Sequence, residues 1–316
     1  MVVTQMEGSN GTFVTEFFLM AFHVFPRFTI LLFVVCLVIY ITCITGNMII
    51  FLLIQFDVTL HSPMYYFISV FAILEILFVS IIVPKLLDIL IAGGNRISFA
   101  ACFLQLYCAA ATGIVECYLL TVMVFDRHLA ITNPLRYLVL MSQWRAQLAI
   151  FPWVVGLVSA IIPTIFTVTL QFCGPNQIDH FFCDLAPLQN LACSDSYISN
   201  LVTSITATFA VLLPFIAIIG FYINIIITVS KIKSAEGKYK AFSTCSSHLI
   251  VAGLFFSTGI IVYVGPNGSD YDKFFALIYK VFIPLLNPFI YTLRNTDVKM
   301  AFFRTFMGFK VKNIKA

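Results

Sequence analysis

The stretch Ala100–Tyr137 (AACFLQLYCAAATGIVECYLLTVMVFDRHLAITNPLRY) decides the architecture. It opens on Cys102, runs apolar for some twenty residues around one carboxylate, Glu116, and closes on Phe125-Asp126-Arg127-His128 and Asn133-Pro134-Leu135-Arg136-Tyr137. At about 1.5 Å per residue, a helix of this length crosses the roughly 30 Å hydrocarbon core of a bilayer with a turn to spare. It therefore reads as a membrane helix with a thiol at one end, a buried acid in the middle and an acid–base pair at the other end.

Working outward, the rest of the chain has the same character. Of its 316 residues 61% are hydrophobic and only 10% charged, with 34 Phe against 2 Trp and a mean hydropathy of +1.01. Soluble domains carry nearer a quarter of charged residues, so this composition predicts a polytopic membrane protein. Lys and Arg are absent between Ala146 and Ser230, which excludes a basic nucleic-acid surface. The first eighteen residues hold Glu7 and Glu16 and have no basic region leading into an apolar core, so no cleavable signal peptide is expected.

Apolar runs long enough to span fall near 27–55, 59–86, 97–131, 142–168, 197–231, 238–264 and 272–294. The expected fold is all-α: a seven-transmembrane helix bundle over 27–294. A tail (1–26) lies outside, and a short amphipathic helix with a cytoplasmic tail (295–316) follows the seventh span. With the N-terminus outside, 13 of the 18 basic residues lie on the inner side, while Asp179, Asp184, Asp195, Asp270 and Asp272 lie outside, as the positive-inside rule requires. Phe302, Phe303 and Phe306, interleaved with Lys299, Arg304 and Lys310, predict a helix along the inner leaflet. The location is the plasma membrane, multi-pass.

The outer tail carries the sequon Asn10-Gly11-Thr12, a glycosylation site, and a weaker one at Asn267. Cys102, Cys173, Cys183 and Cys193 fall on the oxidising side, where disulfides persist. Of three pairings, Cys102–Cys183 with Cys173–Cys193 is preferred; free thiols remain the alternative.

Ionisable residues inside a membrane are costly and usually functional. Glu75 and Glu116 sit near mid-depth, and two carboxylates facing one interior can hold a cation or share a proton. A sodium ion between them is the one cofactor expected; the alternative is a structural network with Asn47 and Asn287. Lys280, in the seventh run, either meets an acidic or carbonyl-bearing ligand or pairs with Glu116 or Glu75. No nucleophile–base set, phosphate loop or metal-spaced cluster appears, so no enzyme is expected.

Five motifs in register carry a resemblance: Leu60-His61-Ser62-Pro63-Met64-Tyr65-Tyr66-Phe67; Met123 to Tyr137; His180-Phe181-Phe182-Cys183-Asp184; Lys240-Ala241-Phe242-Ser243-Thr244-Cys245-Ser246-Ser247-His248-Leu249; and Pro284-Leu285-Leu286-Asn287-Pro288-Phe289-Ile290-Tyr291. Together they are similar to the olfactory receptors, in the tetrapod-type (class II) branch of the rhodopsin-like G protein-coupled receptors. The resemblance implies a receptor for small volatile odorants that activates a heterotrimeric stimulatory G protein and raises cyclic AMP. It further implies a switch in which Asp126, Arg127, Tyr222, His248, Asn287, Pro288 and Tyr291 regroup at the inner face.

It also implies a pocket between the third, fifth, sixth and seventh helices, lined by Ala110, Gly113, Ile114, Thr206, Ala207, Phe256, Ile260, Tyr263, Leu277 and Lys280. That pocket is expected to be apolar with few fixed polar groups. Departures from the family pattern stand at Phe125, His128, Thr132, Phe221, Phe256 and Ser257. The alternatives are a chemosensory receptor of the same family acting outside the nose and an ion-coupled transporter, the latter disfavoured because no internal repeat is visible. An opsin reading of Lys280 fails on the motifs, since opsins have their lysine one residue closer to the proline.

Overall fold

A computed structural model describes residues 14–21, 28–264 and 270–307. The side chains at 239–244, 246–247, 260–264, 270–272, 291–294, 296 and 306–307 lie outside the description.

The spans are α1 (Thr29–Phe56), α2 (Pro63–Ala92), α3 (Phe99–Thr132), α4 (Pro134–Val168), the pair α6 (Tyr197–Ala207) and α7 (Leu213–Ser230), α8 (Ala235–Val264), and the pair α9 (Asp270–Leu277) and α10 (Ile283–Arg294). Among the described residues, six of these seven are long and apolar enough to cross a bilayer along their most apolar stretch. α8, 30 residues long, holds an apolar stretch over His248–Gly259 among the described residues. The result is the expected seven-helix bundle. Ile30, Leu31, Val34 and Val38 of α1 and Val154, Val158 and Ile162 of α4 point outward, where only lipid tails can receive them.

Helix ends differ from the sequence expectation where local chemistry intervenes. α2 runs six residues past 86 because Lys85 folds onto Asp88 and the Gly94 carbonyl (2.7 and 2.6 Å), and the helix stops at Gly93 with φ +63°, a conformation that costs glycine little. α4 begins eight residues before 142, at Pro134, where a missing N–H costs nothing. The fifth and seventh spans are each interrupted by a π-helical turn, Thr208–Leu212 and Ile278–Phe282. Pro214 and Pro284 follow these turns. Neither can donate to the residue four back, Ala210 and Lys280, and the widened turn absorbs that gap.

The core forms two clusters. The inner one joins Phe67, Phe71, Leu119, Leu120, Met123, Met141, Val251 and Phe255; the outer one joins Phe17, Phe78, Ile82, Phe103, Leu106, Phe181, Phe182 and Leu188. α3 and α4 press together at Gly156, where a Cβ would sit 2.6 Å from the Ala111 carbonyl oxygen and 2.5 Å from Val115 Cγ2.

Two elements outside the spans were not legible in the periodicity. β1 (Glu16–Leu19) pairs antiparallel with β2 (Arg96–Ser98), Phe17 opposite Ile97, and parallel with β3 (Gln177–Ile178), Leu19 opposite Ile178. The N-terminal segment thereby straps the first and second outer loops together. Phe17, fully buried, lies 5.2 Å from the ring of Phe172 and 5.8 Å from that of Phe99. A short helix, α5 (Leu185–Leu191), forms inside the second outer loop with Asp184 capping the Leu185 N–H at 2.8 Å. On the inner side, α11 (Thr296–Met307) buries Val298 and Ala301 and ties Arg304 Nη2 to Asp57 (2.9 Å) and Thr59 (2.7 Å). Burial raises the Asp57 carboxyl, but the Thr59 hydroxyl and amide and the Arg304 charge outweigh it and hold it below the usual range.

Candidate functional site: an outer cavity, a polar middle and an inner charge lock

Cys102 is bonded to Cys183 and Cys173 to Cys193. The first bond pins the second outer loop to the start of α3. Gln105, one turn along, accepts from the Cys183 N–H at 3.0 Å and donates to the Ile81 carbonyl of α2 at 3.0 Å. Held this way, the loop roofs a cavity of about 740 Å³.

Ala110, Gly113 and Ile114 of α3, Thr206 and Ala207 of α6, and Lys280 line that cavity. Two other residues expected there do not. Phe256 packs against Phe215 (5.5 Å) and Phe255 (5.4 Å) in the inner core, and Leu277 is buried in the outer core. The wall position falls one residue earlier, to Ala276. A π turn inserts one residue, which rotates everything N-terminal to it by about 100° relative to Pro288. Reading the phase from that proline as a plain helix selects the wrong neighbour. The side chains of Ile260, Tyr263 and Tyr291 and all of Asn10 and Asn267 lie outside the described residues.

The lining is also far more polar than expected. Gln177, Asp179, His180, Asp184, Gln189 and Asn190 reach it from the second loop, and Asn200, Thr203, Ser204 and Lys273 from the helices. Lys273 is ion-paired with Asp179, joining the seventh helix to the strapped loop. Gln189 donates to Ser199 and Thr203 (both 2.8 Å) and to Thr167 (3.2 Å), clamping α5 to α4 and α6. Burial raises the Asp184 carboxyl, while Lys280 and the Leu185 amide pull it back. No short-range spacing could have revealed these residues, because most belong to a loop whose place is set by the Cys102–Cys183 bond and by the Lys273–Asp179 pair, both between segments far apart in sequence.

Below the cavity, where the two core clusters meet, lie Asn47, Glu75, Glu116 and Asn287, all buried. Asn287 Nδ2 donates to Glu75 Oε1. Glu75 Oε2, Glu116 Oε1 and Asn287 Oδ1 have no hydrogen-bond partner among the described residues. Asn47 turns instead to its own helix, donating to the Cys43 carbonyl at 3.0 Å.

At the inner end of α3, Asp126 is fully buried and Arg127 nearly so. Arg127 Nε donates to Asp126 at 2.9 Å, and the Tyr137 hydroxyl donates to Asp126 Oδ1 at 2.9 Å while accepting from Arg127 Nη2 at 3.2 Å. Tyr137, on α4, is the member of this lock that had no assigned role in the sequence. Tyr222 and His248 are brought to the same end. His248 is buried within electrostatic reach of Arg127, and Cys245 is within reach of both Tyr222 and Arg127. The Tyr222 hydroxyl is buried with no hydrogen-bond partner among the described residues. Pro288 stands against Gly46 of α1, whose missing Cβ would come within 3.1 Å of the ring. Phe125 and His128 both face Phe221, at 5.5 and 5.2 Å, so three of the departures from the family pattern form one aromatic patch.

A loop-roofed outer cavity and a buried inner charge lock on the same spanning helix define a multi-pass membrane receptor. Comparison with known proteins agrees. The olfactory receptor family model matches residues 35–308. Human olfactory receptor 10A5 is 42% identical over 306 residues, covering 95% of this chain and 96% of its own. Human olfactory receptor 6N1 and mouse olfactory receptor 5P68 are each 41% identical over 300 residues, covering 94% and 96%. The chain belongs to the olfactory receptor family, whose members are plasma-membrane G protein-coupled receptors and not enzymes.

Proposed function

We propose that this protein is an odorant-activated receptor that couples to a stimulatory G protein and raises cyclic AMP. The observation that carries the reading is the Asp126–Arg127–Tyr137 lock, closed at the opposite end of α3 from a roofed cavity. A ligand bound between α3, α6 and the seventh span biases how those helices pack, and release of Arg127 from Asp126 frees it for Tyr222 and His248. Cells carrying the receptor and the stimulatory G protein are exposed to an odorant panel and read as cyclic AMP. At least one panel member should raise it, and Arg127→Ala should abolish the response at equal surface expression. Silence across the panel in a receptor that reaches the surface sinks the reading.

The same reading places a sodium ion, or a shared proton, between Glu75 and Glu116. Its support is the three buried oxygens of Glu75, Glu116 and Asn287 without protein donors among the described residues. Agonist potency should fall as sodium replaces a large organic cation, and Glu116→Gln should remove that dependence. Equal sodium sensitivity in wild type and variant counts against it.

A further inference from the structure

The outer rim of the cavity holds its hydrogen-bonding groups in a fixed arrangement. Gln189 of α5 donates at 2.8 Å to both Ser199 and Thr203 of α6, which ties the two helices together. Asn190 and Asn200 each stand one residue past the joined pair Gln189 and Ser199, and both line the cavity with exposed side chains. Ser204, also exposed and also on the cavity wall, follows Asn200 one turn along α6. The only proton of the Ser204 hydroxyl goes to the Asn200 carbonyl at 2.8 Å, so its oxygen can only accept from a guest. Asn200 Nδ2 donates to Ser196 Oγ at 3.1 Å, which leaves Oδ1 as a second acceptor. The Asn190 amide, without a side-chain hydrogen-bond partner among the described residues, can both donate and accept. The α3 wall is instead made of Ala109, Ala110 and Gly113, and a Cβ at Gly113 would meet nothing within 4 Å. That side leaves room for an alkyl chain.

We propose that the ligands of this cavity are small alcohols, whose hydroxyl donates to Ser204 Oγ or Asn200 Oδ1 and accepts from Asn190, while their alkyl part lies against α3. The inference rests on the reading of the cavity as the odorant site and deepens it. An ether, aldehyde or ester of the same size brings acceptors alone, and these would face the Ser204 and Asn200 oxygens with no proton between them. Such a pairing forfeits the hydrogen bond that water gave each group before binding. Selection at the rim is therefore by the ligand's proton rather than by its length.

The test is direct binding, so it does not depend on G protein coupling. Purified full-length receptor in lipid nanodiscs is titrated with straight-chain alkanols from butanol to decanol and with alkyl methyl ethers of the same number of heavy atoms, following the thermal transition. The quantity read is the ratio of alkanol to ether affinity, which cancels any general loss of stability in a variant. In the wild type it should favour the alkanol by about 2- to 13-fold for each hydrogen bond gained. Ser204→Ala, which deletes one exposed oxygen, should lower the ratio, and Ser204→Thr, which keeps the hydroxyl, should preserve it. Asn200→Leu combined with Ser204→Ala should bring the ratio to about one. The proposal is overturned if no alkanol binds, if ethers bind as tightly as alkanols in the wild type, or if the double variant keeps the wild-type ratio. Alkanol binding with cyclic AMP silent refutes the coupling and leaves the ligand class standing. A cyclic AMP response to other odorants without alkanol binding refutes the ligand class and leaves the receptor reading standing.

Discussion

Tyr137→Phe removes one oxygen atom from the inner lock and leaves the ring in place. That oxygen donates to Asp126 Oδ1 at 2.9 Å and accepts from Arg127 Nη2 at 3.2 Å, and both charged partners are buried. A hydrogen bond to a charged group contributes about 1.5–3 kcal/mol, or roughly a 10- to 150-fold change in an equilibrium. The lower end applies, because Arg127 still reaches Asp126 through Nε at 2.9 Å. The lock closes the resting arrangement, so the variant should shift the balance about tenfold towards the active one. Basal cyclic AMP should rise and the agonist concentration for half-maximal response should fall, both measured in cells matched for surface receptor. Asp126→Asn, which keeps an acceptor but loses the charge, should move both quantities the same way. Unchanged or lower basal signalling in Tyr137→Phe at equal surface density would refute the assignment of Tyr137 to the resting lock.

Other perturbations test the scaffold. Gly156→Val places a side chain where the Ala111 carbonyl oxygen already sits 2.6 Å from a virtual Cβ, and overpacking of this kind costs about 1–3 kcal/mol or more; the thermal transition of purified receptor should drop, while Gly113→Ala, which meets nothing within 4 Å, should leave it unchanged. Phe17→Ala empties the aromatic cluster beneath the sheet at a cost of about 3–5 kcal/mol to the strap; hydrogen exchange should then quicken at 96–98 and 177–178 before it does so in the spans. Arg304→Ala frees α11 from the first inner loop, visible as faster exchange over 296–307. Because the Asp57 carboxyl is held below its usual range in the folded protein, this contact is fully present at cytosolic pH. It should weaken only on acidification below the ordinary carboxylate range of about pH 4, as exchange across a pH series will show.

Much of this was readable from the chain alone because the bilayer imposes a simple rule. Backbone polar groups in hydrocarbon must be satisfied within their own segment, so long apolar runs become helices, and the basic residues orient them. The inner motifs also lie within single helices, where residue order and fixed helical spacing place Asp126, Arg127, Tyr222 and His248 at one end. Tertiary structure alone decided the cavity. Its roof is loop backbone held by Cys102–Cys183, Gln105 and a strand from the tail; its polar wall, from Asp179 to Asn190, comes from a segment with no helical period to read. Even inside the spans, the π turn ahead of Pro284 moved the wall from Leu277 to Ala276. Sequence spacing determines a side chain's direction only while the helix keeps 3.6 residues per turn, and the packing that accommodates a buried proline is where that regularity ends.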